Sequence, residues 1–254
     1  MKLDILYEDN DIIVCHKAPG VSSQQERSYD PDMASMLMNY FHKSNVNNPY
    51  VGVVHRLDKP VAGVIVYGKN EKATKLLSEQ ITNHHFRKKY SAIVCGDITS
   101  INCPSLTKNA DGTFTLTDYL LRDAKTNTSH VVDISHKEYA THKEVKKSIL
   151  NFSVNKVVTL TKGSPFYNPD SVFDNIFSLI DIELLTGRHH QIRVQFSNAG
   201  FPLWGDMRYS PYAKESGQRK GVALCARSLT LKHPITKEEM TFTVTPSNSI
   251  FKYI

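Results

Sequence analysis

His55-Arg56-Leu57-Asp58-Lys59-Pro60, running into Val61-Ala62-Gly63-Val64-Ile65-Val66-Tyr67, is the stretch on which the reading of this chain turns. Pro60 biases Lys59 towards an extended backbone and keeps a helix from passing through the segment. The apolar, β-branched run behind it is the pattern of a buried strand. Asp58 is therefore expected on a short restrained loop entering the core, one residue removed from a guanidinium. Loops held by a rigid scaffold carry reactive side chains, and they also carry ordinary turn aspartates. Taken alone, the segment favours the ordinary aspartate.

Working outward, Asp11 to Cys15 reads as a strand closed by the turn pair Pro19-Gly20. Asp30 is a candidate N-cap with Pro31 at the first helical position. Met33, Met36, Leu37, Tyr40 and Phe41 then fall on one helix face, a stripe that reads as core packing. Asn70 can cap a second helix with Ala73, Leu76, Leu77 and Ile81 inward. Lys89 to Cys95 is another strand. Residues 100–170 are polar and irregular and read as outer strands and loops, with a turn-rich excursion around Lys162 to Pro169. Ile176 to Leu185 is a strand, and Thr186 is expected to cap a helix with Ile192, Phe196 and Ala199 inward that stops at Gly200. Strand-like Ala223 to Ala226 and Met240 to Val244 close the chain. Strands and helices mix without regular βαβ alternation, so the fold class is α+β around a central sheet.

The chain has 254 residues, 40% of them apolar, enough for one large domain or two modest ones. It contains no apolar run long enough for a membrane span. Its acidic start matches neither a secretory signal nor a transit peptide. Cys15, Cys95, Cys103 and Cys225 form no C-x-x-C pair, which fits reduced thiols and a cytoplasmic location. The net charge of +6 is compatible with a polyanionic partner.

Two distant segments change the weight given to Asp58. Arg87-Lys88-Lys89-Tyr90-Ser91-Ala92-Ile93-Val94-Cys95-Gly96 and Leu185-Thr186-Gly187-Arg188-His189-His190-Gln191-Ile192-Arg193-Val194 follow it in that order. Together the three resemble the RluA-type family of RNA pseudouridine synthases, whose patterns are H-R-L-D-x-x-T-S-G, K-x-Y-x-A-x-V-x-G and T-G-R-x-H-Q-I-R-V. The resemblance extends to Leu203-Trp204-Gly205-Asp206-Met207-Arg208-Tyr209 and to Ala223-Leu224-Cys225-Ala226 followed by His233-Pro234, and covers the chain from about residue 4 onward. It departs at Val61-Ala62, where T-S is usual, at His189 for threonine, at Gln195 for histidine and at Ser210 for glycine.

The resemblance implies a mixed, largely antiparallel central sheet with flanking helices and a catalytic cleft, in a single catalytic domain over 1–254. Two subdomains sharing one sheet would also fit, and no S4-like module is expected ahead of it. It implies an isomerase that turns specific uridines of ribosomal or transfer RNA into pseudouridine. That conversion breaks one glycosidic bond and forms another without redox change, so no cofactor is implied. RNA is the implied partner, with a monomer and no obligate protein partner expected.

Asp58 maps onto the family nucleophile, Arg193 onto the arginine that favours its charged form, and Tyr90 onto the active-site tyrosine. Each has a plainer alternative: a turn acid, a solvated helix charge, a packed strand tyrosine; the place of Arg193 at the flank of the apolar stripe, rather than opposite it, favours partial burial. Arg56 resembles the arginine that holds the extruded nucleotide out of its stack. Arg188 and the amides opening the helix after Thr186 are candidate phosphate contacts, Lys59, Arg87, Lys88 and Lys89 are candidate backbone contacts or ordinary solvated surface, and His55 and Gln191 are further RNA contacts. His55, Asp58, His189 and His190 supply donors for a metal, but adjacent histidines on a helix diverge by about 100°, and no metal is expected. The competing classes are an RNA-binding protein on the same fold without catalysis and a metal-dependent hydrolase.

Overall fold

The computed structural model describes residues 2–25, 30–212, 221–246 and 249–254. In chain order the elements are β1 (Asp4–Glu8), β2 (Ile12–Lys17), α1 (Met33–Lys43), β3 (Gly52–Val53), β4 (Ala62–Gly68), α2 (Glu71–Thr82) and β5 (Arg87–Cys95). There follow β6 (Leu106–Lys108), β7 (Phe114–Asp123), β8 (Thr128–Val131), α3 (Lys137–Ala140), β9 (Lys146–Thr159) and β10 (Ile176–Leu184). The last are α4 (Gln191–Asn198), β11 (Leu224–Lys232) and β12 (Glu239–Thr243). The fold is α+β, as expected. No helix among the described residues is long and apolar enough to cross a membrane.

The chain divides into two compact units, Met1–Tyr90 with Cys225–Pro246 and Ser91–Leu224 with Ser247–Ile254. In the first, β1, β2, β4 and β11 lie in that order, with β3 on β4 and β12 on β11. All ladders here are antiparallel except β4–β11, which is parallel through Cys225↔Ala62 and Ala226↔Gly63. Every residue of β4 is buried, as its unbroken apolar run requires. Ile12, Val14, Val64, Val66, Leu77, Phe86, Leu229 and Leu231 form the core of this unit. Asn70 caps α2 by accepting the Ala73 amide (2.8 Å), and Ala73 and Leu77 are its fully buried residues.

The cap of α1 differs from the expectation. Asp32, not Asp30, occupies it, accepting the Ser35 amide (3.0 Å) and the Ser35 hydroxyl (2.6 Å). The sequence D-P-D offers two acids, and only the second stands three residues before a serine that can donate twice. Met33, Leu37 and Phe41 form the buried stripe, with Met36 and Tyr40 half-buried beside it.

In the second unit β10, β9, β7 and β6 are joined in order, with β8 on β7, all antiparallel. The polar stretch 100–170 thus holds a 14-residue strand, β9, whose Ser148, Leu150 and Phe152 alternate inward. Ile93, Leu160, Phe177, Trp204, Ala223 and Ile250 make the core. The helix expected after Thr186 begins only at Gln191. Thr186 Oγ1 instead accepts the Ile149 amide (2.8 Å) and donates to Gln191 Oε1 (2.9 Å), and His190 precedes the helix at φ 53°.

Candidate active site

In the first unit the Asp58 loop is fastened on both sides. Before it, the Ser23 hydroxyl accepts the Leu57 amide (3.0 Å) and donates to the Leu57 carbonyl (2.9 Å). Ser23 is held in turn by Tyr67 of β4, whose hydroxyl donates to the Ser23 carbonyl (2.7 Å). After it, the Lys59 carbonyl accepts the Gly20 amide (2.8 Å) and the Lys17 ammonium (3.2 Å). Lys17 is wholly buried and also donates to the carbonyls of Val21 (2.7 Å) and Ala18 (3.2 Å), which satisfies its charge. The turn itself closes by the Val61 amide on the Asp58 carbonyl (2.9 Å). Asp58 stands half-exposed on this frame, and the Lys59 side chain pairs with Asp30 (2.6 Å).

Gly63, five residues on, sits at φ 136°, and a β-carbon there would come within 2.5 Å of the Ala226 β-carbon and 2.6 Å of its nitrogen. Only glycine lets β4 and β11 pair at this point.

Tyr90 is 7% exposed and ends the part of β5 that belongs to this unit. Burial, then the nearby Asp58 carboxylate, push its phenol above the ordinary range, so it keeps its proton at neutral pH. Phenol and carboxylate are thus electrostatic neighbours. Arg56 is exposed and makes no ion pair among the described residues. Lys89 is likewise exposed.

His55 is placed differently from the expectation of an RNA contact. It is 9% exposed, its Nε2 accepts the Val66 amide (3.2 Å), and its ring meets the Phe86 edge at 6.1 Å. Burial, then the Lys88 charge, hold it far below the usual histidine range, so the ring is neutral. His55 ties the loop to β4 through this bond, while its buried Nδ1 has no partner among the described residues.

In the second unit Arg193 is 4% exposed, a deeper position than the flank of a helix stripe suggests. Its Nε and Nη2 each lie 2.7 Å from a carboxylate oxygen of Asp206, which is 0% exposed. Asp206 also accepts the amides of Arg208 (3.1 Å) and Tyr209 (3.2 Å), so the acid is a four-donor socket. The Tyr209 ring lies 5.1 Å from the Arg193 guanidinium carbon.

Gln191, expected to touch RNA, is 3% exposed and satisfied internally. Its Oε1 accepts Thr186 Oγ1 and the Arg188 amide (both 2.9 Å), and its Nε2 donates to the Ile149 carbonyl (3.1 Å). That hydrogen bond also occupies an amide proposed for phosphate. Arg188 remains exposed, with Nε on the Lys147 carbonyl (3.1 Å). His189 and His190 do not diverge: they precede the helix, and their rings stack at 3.7 Å and 28°. His190 Nδ1 lies 2.6 Å from the Tyr209 hydroxyl, and His189 Nδ1 2.9 Å from Ser129 Oγ.

The sequence reading missed Ser23, Lys17 and Asp206 as supports. Asp206 lay inside a quoted motif. Lys17 had a signal too, a charge closing an otherwise apolar strand. Asp9, Asp11 and His233 form the group among the described residues with metal-ligand spacing. Yet His233 Nδ1 accepts the amides of Ile235 and Thr236, which puts the ring proton on Nε2, and this bonds Asp9 (2.8 Å). The cluster is a satisfied clasp.

The family model described as RNA pseudouridylate synthase matches residues 11–198. The chain is 30% identical over 245 residues to an uncharacterised RNA pseudouridine synthase, YlyB, of Bacillus subtilis, covering 95% of this chain and 68% of that protein. It is 29% identical over 248 residues to the dual-specificity RNA pseudouridine synthase RluA of Haemophilus influenzae, covering 94% and 91%. Among solved structures, human RNA pseudouridylate synthase domain containing 1 superposes with a TM-score of 0.70 at 20% identity, over 96% of this chain and 83% of that one, a likeness of fold.

Proposed function

The chain belongs to the RluA-type RNA pseudouridine synthases, isomerases that act on uridine in RNA, and from that premise we propose that Asp58 is the nucleophile of this reaction. An oxygen of its carboxylate bonds to the uracil C6 or to ribose C1′. Either way N1–C1′ breaks and C5–C1′ forms, the bond from the Asp58 oxygen to carbon is released to regenerate the carboxylate, and the proton lost from C5 is matched by one taken up at N1, so atoms balance without an added reactant. The observation that carries the reading is a half-exposed carboxylate on a loop clamped at both ends, with a buried phenol as electrostatic neighbour. Such a frame fixes the reacting oxygen in advance, the condition for a large orientation effect.

Tyr90 supplies an aromatic face for the ring and a protonated hydroxyl that takes part in the final proton transfer by passing its own proton on as it receives the one from C5. By its match to the family motif Arg193 is the proposed partner of the acid, and within its own unit Asp206 holds it. Arg56, exposed and without an ion pair among the described residues, fills the space left by the extruded nucleotide, at a few kcal/mol of unstacking. Arg188 and Lys89 contact the RNA backbone. Relatives are named for ribosomal large-subunit and transfer RNA, and a structured RNA of those two kinds is the proposed substrate.

The test is tritium release from [5-³H]uridine-labelled RNA. Wild type should release tritium, and Asp58→Asn should not, while both bind RNA. Release by the variant at the wild-type rate overturns the assignment. Binding without release by the wild type favours a binding protein on this fold.

A further inference from the structure

Side chains alternate across a strand, so Phe86, Lys88 and Tyr90 share one side of the chain entering and forming β5, while exposed Arg87 and Lys89 take the other. Phe86 and Tyr90 are buried. Lys88 is half-buried between them, its ammonium 5.9 Å from the Phe86 ring centre and its charge felt by His55. It makes no hydrogen bond or ion pair among the described residues. Burial brings its ammonium down to about 8.

Other lysines of this unit that lose exposure recover acceptors. Lys17 has three carbonyls, and Lys69 has Glu8 (2.7 Å) and the Asp9 carbonyl. Taking an ammonium out of water without such compensation is unfavourable. The position therefore calls for an anion from outside the chain, and the anion RNA brings to every nucleotide is the phosphodiester.

We propose that Lys88 is the receptor for a backbone phosphate of the nucleotide bound beside Asp58 and Tyr90. The proposal rests on Asp58 being the reactive acid and adds the group that seats the substrate. An exposed lysine attracts phosphate through screened solvent, whereas a half-buried one acts at lower dielectric and from a fixed place. The uracil itself is neutral, so the ammonium serves the backbone and leaves the ring to Tyr90.

The dinucleotide UpU carries one phosphodiester and uridine carries none, so their binding isotherms on the full chain separate phosphate from base. Lys88→Met should bind UpU roughly tenfold more weakly, the size of a lost charge-assisted hydrogen bond, with uridine affinity unchanged. Lys88→Arg should recover most of the loss. Lys88→Met should also melt at or above the wild-type temperature, because an uncompensated charge has been removed. UpU affinity within twofold of wild type, an equal loss for uridine, or a lower melting temperature with unchanged binding would each overturn the proposal. Binding needs no turnover, so a chain that releases no tritium yet shows the Lys88-dependent preference for UpU loses the catalytic reading and keeps the phosphate site.

Discussion

Substituting Asp206→Asn tests whether Arg193 is held by a buried charge pair or merely packed. The carboxylate accepts both Arg193 bonds at 2.7 Å and two backbone amides, and both side chains are almost entirely enclosed. Asparagine keeps one oxygen, which can stay with the amides and one guanidinium nitrogen. Its Nδ2 then faces the other guanidinium N–H, donor against donor, and the cation loses its counter-charge. Removing one partner of a buried pair costs about 3–5 kcal/mol. At about 2–4 °C per kcal/mol for a chain of this size, the melting temperature should fall by roughly 6–20 °C. Calorimetry on wild type, Asp206→Asn, Arg193→Met and Arg193→Met/Asp206→Asn gives the answer. The double variant has no stranded cation and should regain at least about 2 kcal/mol over additivity. It should remain inactive in tritium release, because the arginine is gone. A drop under about 2 °C for the single variant, or additive losses, would refute the charge-pair argument.

The other expectations concern the loop frame. His55 is held well below the ordinary histidine range, so the unfolded chain takes up a proton near pH 6.5 while the folded chain does not. Its contribution is therefore complete above about 6.5 and is lost as the pH falls, by at most about 1.4 kcal/mol per unit. Urea midpoints between pH 7 and 5 should drop less steeply for His55→Gln, and coincident slopes would exclude the effect. Gly63→Ala should cost roughly 2–4 kcal/mol, since its β-carbon meets Ala226 at a positive φ. Thermal unfolding as high as wild type would show that β4 and β11 can separate without cost.

Local pattern sufficed where one segment decides its own structure. The run Ala62–Gly68 is buried throughout, and Asn70 caps α2 from the sequence position that predicts it. It failed where a side chain chose between near-equal partners. Asp30 and Asp32 both suit a cap, and the double donation from Ser35 selects the later one. Thr186 suits a cap as well, but β9 claims its hydroxyl, and the helix starts five residues later. The length of β9 was hidden because its exposed positions carry lysine and asparagine, so the inward alternation of Ser148, Leu150 and Phe152 is diluted. The proposed reactive residues were legible because they sit inside motifs. Their supports were not, since Ser23 meets a backbone 34 residues away and Lys17 one 42 residues away.

The departures from ordinary sequence rules concern charge. Lysine, arginine and aspartate are almost never enclosed unless paired, yet Lys17, Arg193 and Asp206 are enclosed here, each with its acceptors or donors supplied by the fold. Such burial costs stability that a packed apolar side chain would not, and natural proteins retain such costs mainly at functional sites. Lys17 fixes the backbone that carries Asp58, and Asp206 fixes the arginine that the motif supplies. Lys88 differs from both: among the described residues it makes no hydrogen bond or ion pair, only the ring contact with Phe86. A charge compensated internally does its work by holding the protein still, whereas one left uncompensated in the same unit is completed by what binds. On the phosphate-site proposal, the contrast between Lys17 and Lys88 separates a scaffold lysine from a substrate contact within the first unit.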